Sequence, residues 1–274
     1  MSTSSTRIHP TAVIEKTVTL GHDVEIGPYC VLTGNVKIGE GTKLHSHVVI
    51  AGPTLTTLGS NCDVFPFASI GHICQDLKFD NEPATLEIGH HTTIREYATI
   101  QPGTAGGISK TIVGNNCHLM VNTHIAHDCV VGNNVIMSNC ATLAGHVIVE
   151  DQAIIGGLSA IHQFVRIGKG AMIGGMSGVE RDVIPYGNVK GERAFLSGLN
   201  LIGMKRNGFS RDDMRIMKDI FEQLFFSEGA LSERVKRLLK AYQGHPRGQE
   251  ILDFVCSDSS RSFCLPRGKG NQSS

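Results

Sequence analysis

Aliphatic side chains return at every sixth position along most of this chain. One run holds Ile8, Ile14, Leu20, Ile26, Leu32, Ile38, Leu44 and Ile50, a second Leu58, Val64 and Ile70, and a third Ile88, Ile94 and Ile100. The longest passes unbroken from Val113 through Leu119, Ile125, Val131, Met137, Leu143, Val149, Ile155, Ile161, Ile167 and Ile173 to Val179. Four positions after each aliphatic stands a small or β-branched residue, such as Cys117, Thr123, Cys129 or Val135. Glycine often follows the aliphatic directly, as at Gly21, Gly39 and Gly132. A helical face repeats near 3.6 residues, so a period of six argues against a helix and for a short strand followed by a corner. The aliphatic fills the inside of a coil, the small residue fits where the corner leaves little room, and glycine is expected to relieve the bend. Three hexads close a triangular coil of 18 residues. Successive coils then stack as parallel strands about 4.8 Å apart. Each coil buries its inner face only against its neighbours. A β-sandwich is the alternative, but twelve consecutive members at one period are foreign to it.

The register breaks at 71–85 and 101–111, and both segments are expected to loop out of the coil. Loops on a rigid scaffold often carry binding residues. The first contains Gln75-Asp76-Leu77-Lys78, the second Gly103-Thr104-Ala105-Gly106-Gly107. After Pro185 the pattern changes. Ser210 with Asp213 reads as a capping box opening a helix, with Met214, Met217, Ile220, Phe221, Leu224 and Phe225 on its apolar face. A second helix is expected near Ala230 to Tyr242 and a short third from Gln249 to Val255. The domain plan is a β-helix over 7–188, a helical region over 189–256 and a flexible tail over 257–274.

Composition narrows this picture. Hydrophobic residues make up 41% and charged residues 18%, enough for a core in one large domain or a large one with a smaller attachment. Lys plus Arg equals Asp plus Glu, 25 each, which gives no general pull towards nucleic acid. The charge is unevenly placed: 10 basic and 15 acidic residues before position 190, 15 and 10 from there on. A basic C-terminal third suits an acidic partner. Eight scattered cysteines without a C-x-x-C pair read as free thiols in a reducing compartment. Residues 1–7 lack the apolar stretch of a secretory signal, and no apolar run reaches the length of a membrane span, so a soluble protein is expected.

Residues 18 apart lie one above another in such a coil, which collects polar groups that the chain separates. His127, Gly145 and Gln163 fall in one column, His146 stands above Asp128, His162 above Ala144, and His124 is three positions before His127. A histidine beside an aspartate suits proton transfer near neutral pH, since the carboxylate fixes its tautomer and stabilises the imidazolium. Gly145 can bring a backbone N–H close to a developing oxyanion. Together they suit direct attack of a hydroxyl on a thioester, with no cysteine or serine nucleophile. Two alternatives stand beside this. The cluster could be a solvated polar face. Or His124, His127 and His146 could hold zinc, as histidines of neighbouring coils do in the γ-class carbonic anhydrases, although no tight ligand motif such as H-E-x-x-H is present.

The strings His124-Ile125-Ala126-His127-Asp128-Cys129, Ala141-Thr142-Leu143-Ala144-Gly145-His146 and Ile161-His162-Gln163-Phe164 resemble the core of the UDP-N-acetylglucosamine acyltransferases. So do Gln75-Asp76-Leu77-Lys78, Gly198-Leu199-Asn200 and Lys205-Arg206. The resemblance spans roughly residues 7 to 255. It implies a mainly β protein, a left-handed parallel β-helix of hexapeptide repeats with a C-terminal α-helical domain. The implied activity is transfer of a (3R)-3-hydroxyacyl group from acyl carrier protein to the sugar 3-hydroxyl of UDP-N-acetylglucosamine, the first step of lipid A biosynthesis, without cofactor or metal. His127 would be the general base, Asp128 its orienting partner and Gly145 the oxyanion donor. Asp76, Lys78, His124, His146, His162, Gln163, Asn200 and Arg206 match substrate-holding positions. Gly175 matches an acyl-length selector, and glycine there implies long acyl groups. Two positions depart from the family pattern: Ile202, where an acidic residue is common, and Asn207, where a second arginine is. The resemblance further implies a homotrimer with sites between subunits, and a place in the bacterial cytoplasm or a plant organelle. The cysteines and the Ser/Arg-rich tail lean towards a plant mitochondrion.

Overall fold

The computed structural model describes residues 6–267, and they form a left-handed parallel β-helix closed at one end by helices. Each hexad contributes a two-residue strand, such as His124–Ile125, Val130–Val131 and Ile136–Met137. Each strand pairs in parallel with the strand one coil further on: His124–Ile125 with Thr142–Leu143, Val130–Val131 with Ile148–Val149, Ile136–Met137 with Ile154–Ile155. The result is a three-sided prism. One face carries Leu119, Met137, Ile155 and Ile173 inward, the second Ile125, Leu143, Ile161 and Val179, the third Val113, Val131, Val149 and Ile167. We call the edges after these faces the first, second and third edge. The inward aliphatics are between 0% and 2% exposed, as are the small corner residues from Cys117 to Val183. Truncating one of them, Leu143→Ala for example, costs about 2–5 kcal/mol because two flanking coils lose contacts at once. The first coil lacks a neighbour on one side, and Ile8 is 49% exposed.

The glycines after the aliphatics serve a different purpose from the one expected. The left-handed backbone conformation at the corners falls three positions after the aliphatic, on residues such as Tyr97 (φ 60°), Asp128 (φ 58°) and Phe164 (φ 64°). Gly39 instead lies so close to the next coil that a Cβ would meet the Gly59 carbonyl carbon at 2.5 Å. Close stacking of the coils, not a positive φ, requires glycine there.

At the two register breaks the chain leaves the coil, and strand pairing resumes at Thr85 and Lys110. Strands Gly187–Lys190 and Phe195–Leu199 extend the first face before the helices begin, so β-structure runs past the boundary expected at 188. Helix α1 (Leu201–Arg206) was not legible as a helix. Helix α2 (Arg211–Phe226) opens with the expected capping box: Ser210 Oγ accepts from the Asp213 N–H at 3.0 Å, and Asp213 Oδ2 accepts from the Ser210 N–H at 2.9 Å. Helices α3 (Leu231–Ala241) and α4 (Pro246–Cys256) complete the cap, the latter longer than predicted. Met217, Ile220, Leu224, Val235, Leu238, Ile251 and Leu252 form their shared core with Met204 and Tyr186.

Residues 257–267 do not fray. Cys264 is 1% exposed, its N–H donates to the Asp182 carbonyl at 2.8 Å, and Leu196 N–H donates to Leu265 at 3.0 Å. Phe263 pairs with Asp182 as a short parallel extension of the third face. Unpaired backbone at the last coil gives this Ser/Arg-rich stretch a place to bind. Residues 268–274, also expected to be flexible, lie outside the described residues. Among those described, no helix is long and apolar enough to cross a membrane.

Candidate active site

His127 sits on the second edge, two positions after the inward Ile125, and is 5% exposed. Its Nδ1 lies 2.9 Å from Oδ2 of Asp128, whose side chain is fully covered. The same carboxylate accepts from the Thr104 hydroxyl at 2.7 Å and from the Thr104 N–H at 3.1 and 3.2 Å. Burial alone would raise the Asp128 pKa, but the Thr104 hydroxyl, His127 and the Thr104 N–H together hold it below the usual carboxylate value. An ionised Asp128 accepting from Nδ1 fixes the His127 proton there and leaves Nε2 as a free base. Thr104 comes from the second loop, which thus closes over Asp128. Gly107 in that loop lies so near that a Cβ would meet the Asp128 carboxyl carbon at 2.2 Å.

Gly145 lies one coil beyond His127. A Cβ there would fall 2.5 Å from Cε1 and 2.6 Å from Nε2 of the imidazole, so glycine makes room for the base. Among the described residues the Gly145 N–H has no hydrogen-bond partner, while its neighbours are engaged: Ala144 N–H with Ile161 at 3.0 Å and His146 N–H with His127 at 3.0 Å. A free donor beside a free base suits an acyl-transfer centre.

A groove of about 500 Å³ opens over these atoms, lined by Gln75, Asp76, Leu77 and Lys78 of the first loop and by Gln101, His124, Ala126, His127, Ala144, Gly145 and Gln163 of the coil. Asp76 Oδ1 accepts from the Lys78 N–H at 3.0 Å, which holds the loop tip in a tight turn. His124 Nδ1 pairs with the Thr99 hydroxyl at 2.7 Å. Desolvation, then the neighbouring His127, lowers its pKa. His146 stacks on Phe164 with ring centres 4.4 Å apart and stands 4.0 Å from Asp128. Desolvation lowers its pKa too, against the pull of Asp128.

His127, Asp128 and His146 offer ligand atoms within 4.8 Å of one another, spacing that a metal ion could use. The donor set fits one poorly. Asp128 Oδ2 already accepts from Thr104 and His127, and His127 Nδ1 is committed to that carboxylate. His124, the third histidine of the zinc alternative, is outside the group.

Three of the expected residues lie elsewhere. The Asn200 side chain accepts from the Gly203 N–H at 2.9 Å and donates to the Gly170 carbonyl at 3.0 Å, so it caps α1 against the third edge. Arg206, in the last turn of α1, is exposed at the same edge, where Asn207 donates to Gln152 at 3.1 Å. Ile202 is 68% exposed. Gly175 is exposed on the first edge, with the Gly157 carbonyl 3.2 Å from where its Cβ would be. Within one chain neither Asn200 nor Arg206 faces His127. His162 lies beside the groove, in a depression of about 320 Å³ shared with Arg181 and Arg261. A larger cavity of about 730 Å³ lies among Leu224, Phe225, Leu231, Phe263 and Arg181, and none of the expected site residues lines it. Thr104, Gly107 and Arg261 were not singled out by sequence. Thr104 and Gly107 stood in a glycine-rich loop already marked as an excursion, whereas Arg261 carried no signal.

Known proteins match this architecture along its length. The sequence pattern described as UDP N-acetylglucosamine O-acyltransferase, domain 2, covers residues 182–264, and bacterial transferase hexapeptide repeats match at 17–52 and 110–145. The acyl-[acyl-carrier-protein]–UDP-N-acetylglucosamine O-acyltransferase of Rickettsia canadensis is 55% identical over 95% of this chain and 98% of its own. That of Azorhizobium caulinodans is 51% identical over 94% and 95%. A crystal structure of a UDP-N-acetylglucosamine acyltransferase superposes with a TM-score of 0.91 at 42% identity, over 96% of this chain and 100% of that one. The Arabidopsis enzyme superposes at 0.86 with 34% identity, over 94% and 99%. The higher identity to the bacterial proteins removes support for the plant mitochondrial placement.

Proposed function

The chain belongs to the UDP-N-acetylglucosamine O-acyltransferase family, and from that premise we propose how its own residues carry out the reaction. It is an enzyme that transfers an acyl group from acyl carrier protein to UDP-N-acetylglucosamine, the first step of lipid A synthesis. The observation that carries the assignment of roles is the buried relay Thr104–Asp128–His127, with Nε2 beside a Gly145 N–H that has no hydrogen-bond partner among the described residues. His127 Nε2 removes the proton from the sugar 3-hydroxyl as its oxygen attacks the thioester carbonyl. Asp128 steadies the imidazolium. The Gly145 N–H donates a hydrogen bond to the carbonyl oxygen as negative charge develops on it. Collapse of the tetrahedral species breaks the carbon–sulfur bond, and the imidazolium returns its proton to the departing thiolate of the carrier. Asp76, Lys78, His124 and Gln163, which line the groove, hold the two substrates there, and His146 flanks the carboxylate.

Asn200 and Arg206 take part from a neighbouring copy. They sit on the third edge while His127 sits on the second, and a closed three-fold ring brings one edge of each subunit against another edge of the next. A homotrimer with the site between subunits is therefore part of the proposal. The excess of basic residues after position 189 suits docking of the acidic carrier protein, an attraction that weakens as salt rises. Acyl-transfer assays with UDP-N-acetylglucosamine and 3-hydroxyacyl carrier proteins of several lengths test the function. Mixing His127→Ala chains with Asn200→Ala/Arg206→Ala chains tests the shared site. Activity should reappear in mixed oligomers, and its absence there, with oligomers formed, contradicts a site built from two subunits.

A further inference from the structure

After α4 the chain returns to the coil. The Asp182 N–H donates to the Ser262 carbonyl at 2.9 Å, the Ser259 hydroxyl donates to Asp182 Oδ2 at 2.7 Å, and Phe263 packs by Phe254. Asp182 is 0% exposed and also accepts from Arg166 Nε at 2.7 Å, so the segment is held by a buried carboxylate. This anchoring delivers Arg261 to the second edge, 99 residues beyond the histidine that it meets. Arg261 Nη2 lies 2.8 Å from His162 Nδ1, and Arg261 Nε donates to the Gln163 carbonyl at 3.1 Å.

His162 Nδ1 also lies 3.3 Å from that same carbonyl. The two contacts demand opposite tautomers. A guanidinium has only donors, so the contact with Arg261 requires Nδ1 to accept. It is also the shorter and is charge-assisted, and the carbonyl already accepts from Nε. The His162 proton therefore resides on Nε2, which makes that nitrogen the ring's donor to a ligand. Gln163, whose carbonyl Arg261 grips, lines the groove over His127.

We propose that Arg261 is a positioning residue for the acyl transfer: it fixes the tautomer and orientation of His162 and steadies the backbone that carries Gln163, so that the C-terminal segment forms part of the wall of the site. This rests on the acyltransferase reading above. Lysine cannot replace it, since one ammonium cannot reproduce two donors in a planar fork.

A double-mutant cycle with Arg261→Met and His162→Ala separates positioning from general support of the fold. Arg261→Met should lower kcat/KM for UDP-N-acetylglucosamine roughly tenfold, mostly through KM, because a contact to bound substrate is lost. Arg261→Lys should regain little of it. In the His162→Ala background the same Arg261→Met change should alter kcat/KM by a clearly smaller factor, about two- to threefold, because only the hold on the Gln163 carbonyl is then lost. An equal factor in both backgrounds overturns the proposal, as does unaltered kinetics in Arg261→Met. Should Arg261→Met fail to fold by its melting curve, the cycle is run with Arg261→Lys, which keeps length and charge, and is judged by the same outcomes. A wild-type protein that transfers no acyl group to the sugar nucleotide sinks the acyltransferase reading itself, a result distinct from either.

Discussion

The two ends of the site are held by different means. At one end His127 and Asp128 are buried, and every oxygen of the carboxylate that bonds is satisfied by Thr104 or the imidazole. At the other end His162 is exposed and is held by one arginine from a distant segment. The difference follows from the roles proposed for the two residues, general base for His127 and substrate contact for His162. A general base must present one tautomer to one atom at every turnover, and burial with several hydrogen bonds removes the alternatives. A contact that receives and releases a substrate tolerates, and gains from, a looser hold. The coil supplies the positions of both residues, but what fixes each side chain comes from outside the coil.

Substitutions at the buried end should have the largest effects. Asp128→Asn leaves the shape but presents Nδ1 with a group that no longer demands its proton. Turnover should fall about a hundredfold or more with little change in KM, as steady-state kinetics will show. Gly145→Ala places a methyl group where the imidazole now lies, and displacing the base by a fraction of an ångström should cost on the order of a hundredfold in kcat. Thr104→Val removes the hydroxyl bond to Asp128 but spares the backbone N–H. About a tenfold loss in kcat is expected, the value of one hydrogen bond to a charged group. The acid limb of the kcat/KM profile reports a further change if Asp128 protonation limits activity. Its carboxyl, now held low, rises without that hydroxyl, so the limb should move to higher pH. A variant with wild-type rate and an unmoved limb would show that the second loop does not serve the base.

The open faces should respond more mildly. Gly175 is exposed on the first edge, and a Cβ there would press on the Gly157 carbonyl at 3.2 Å, a contact relieved by a small backbone shift. The preference expected of the wild type is for long 3-hydroxyacyl donors, and Gly175→Met should shift the ranking towards shorter ones in a competition assay. An unchanged ranking removes Gly175 from acyl selection. The smallest effect concerns stability. His124 and His146 have lowered pKa values, chiefly from desolvation, so the folded state binds fewer protons there than the unfolded chain. Their contribution is complete above the ordinary histidine pKa of about 6.5 and is lost as pH falls through the lowered values. The melting temperature should drop between about pH 7 and 5, and the drop should be shallower in His124→Gln.

Much of this was legible from the period of six. It placed Ile125, Leu143 and Ile161 in one inward stack and His127, Gly145 and Gln163 in one outward column, because the place in the hexad sets inward or outward and the 18-residue coil sets the face. The period also marked where the chain leaves the coil. What it could not show is what the excursions touch. Thr104 reaches Asp128 across 24 residues and Arg261 reaches His162 across 99, and neither spacing is a multiple of 18. The Ser/Arg-rich composition of 257–267 argued for a free tail, yet the exposed backbone of the last coil captures it. The opposite limit appears at Asn200 and Arg206. Their sequence context matched the site, but one chain sets them on another edge.

The central claim is that a buried, singly oriented His127 drives the transfer, and removing that imidazole tests it most directly. His127→Ala is to be assayed with a 3-hydroxyacyl carrier protein and UDP-N-acetylglucosamine, alongside its melting curve and oligomeric state. The expected result is a loss of 10²–10⁴-fold in kcat with fold and assembly intact, since the side chain points away from the coil interior. A folded variant that turns over near the wild-type rate would contradict the account.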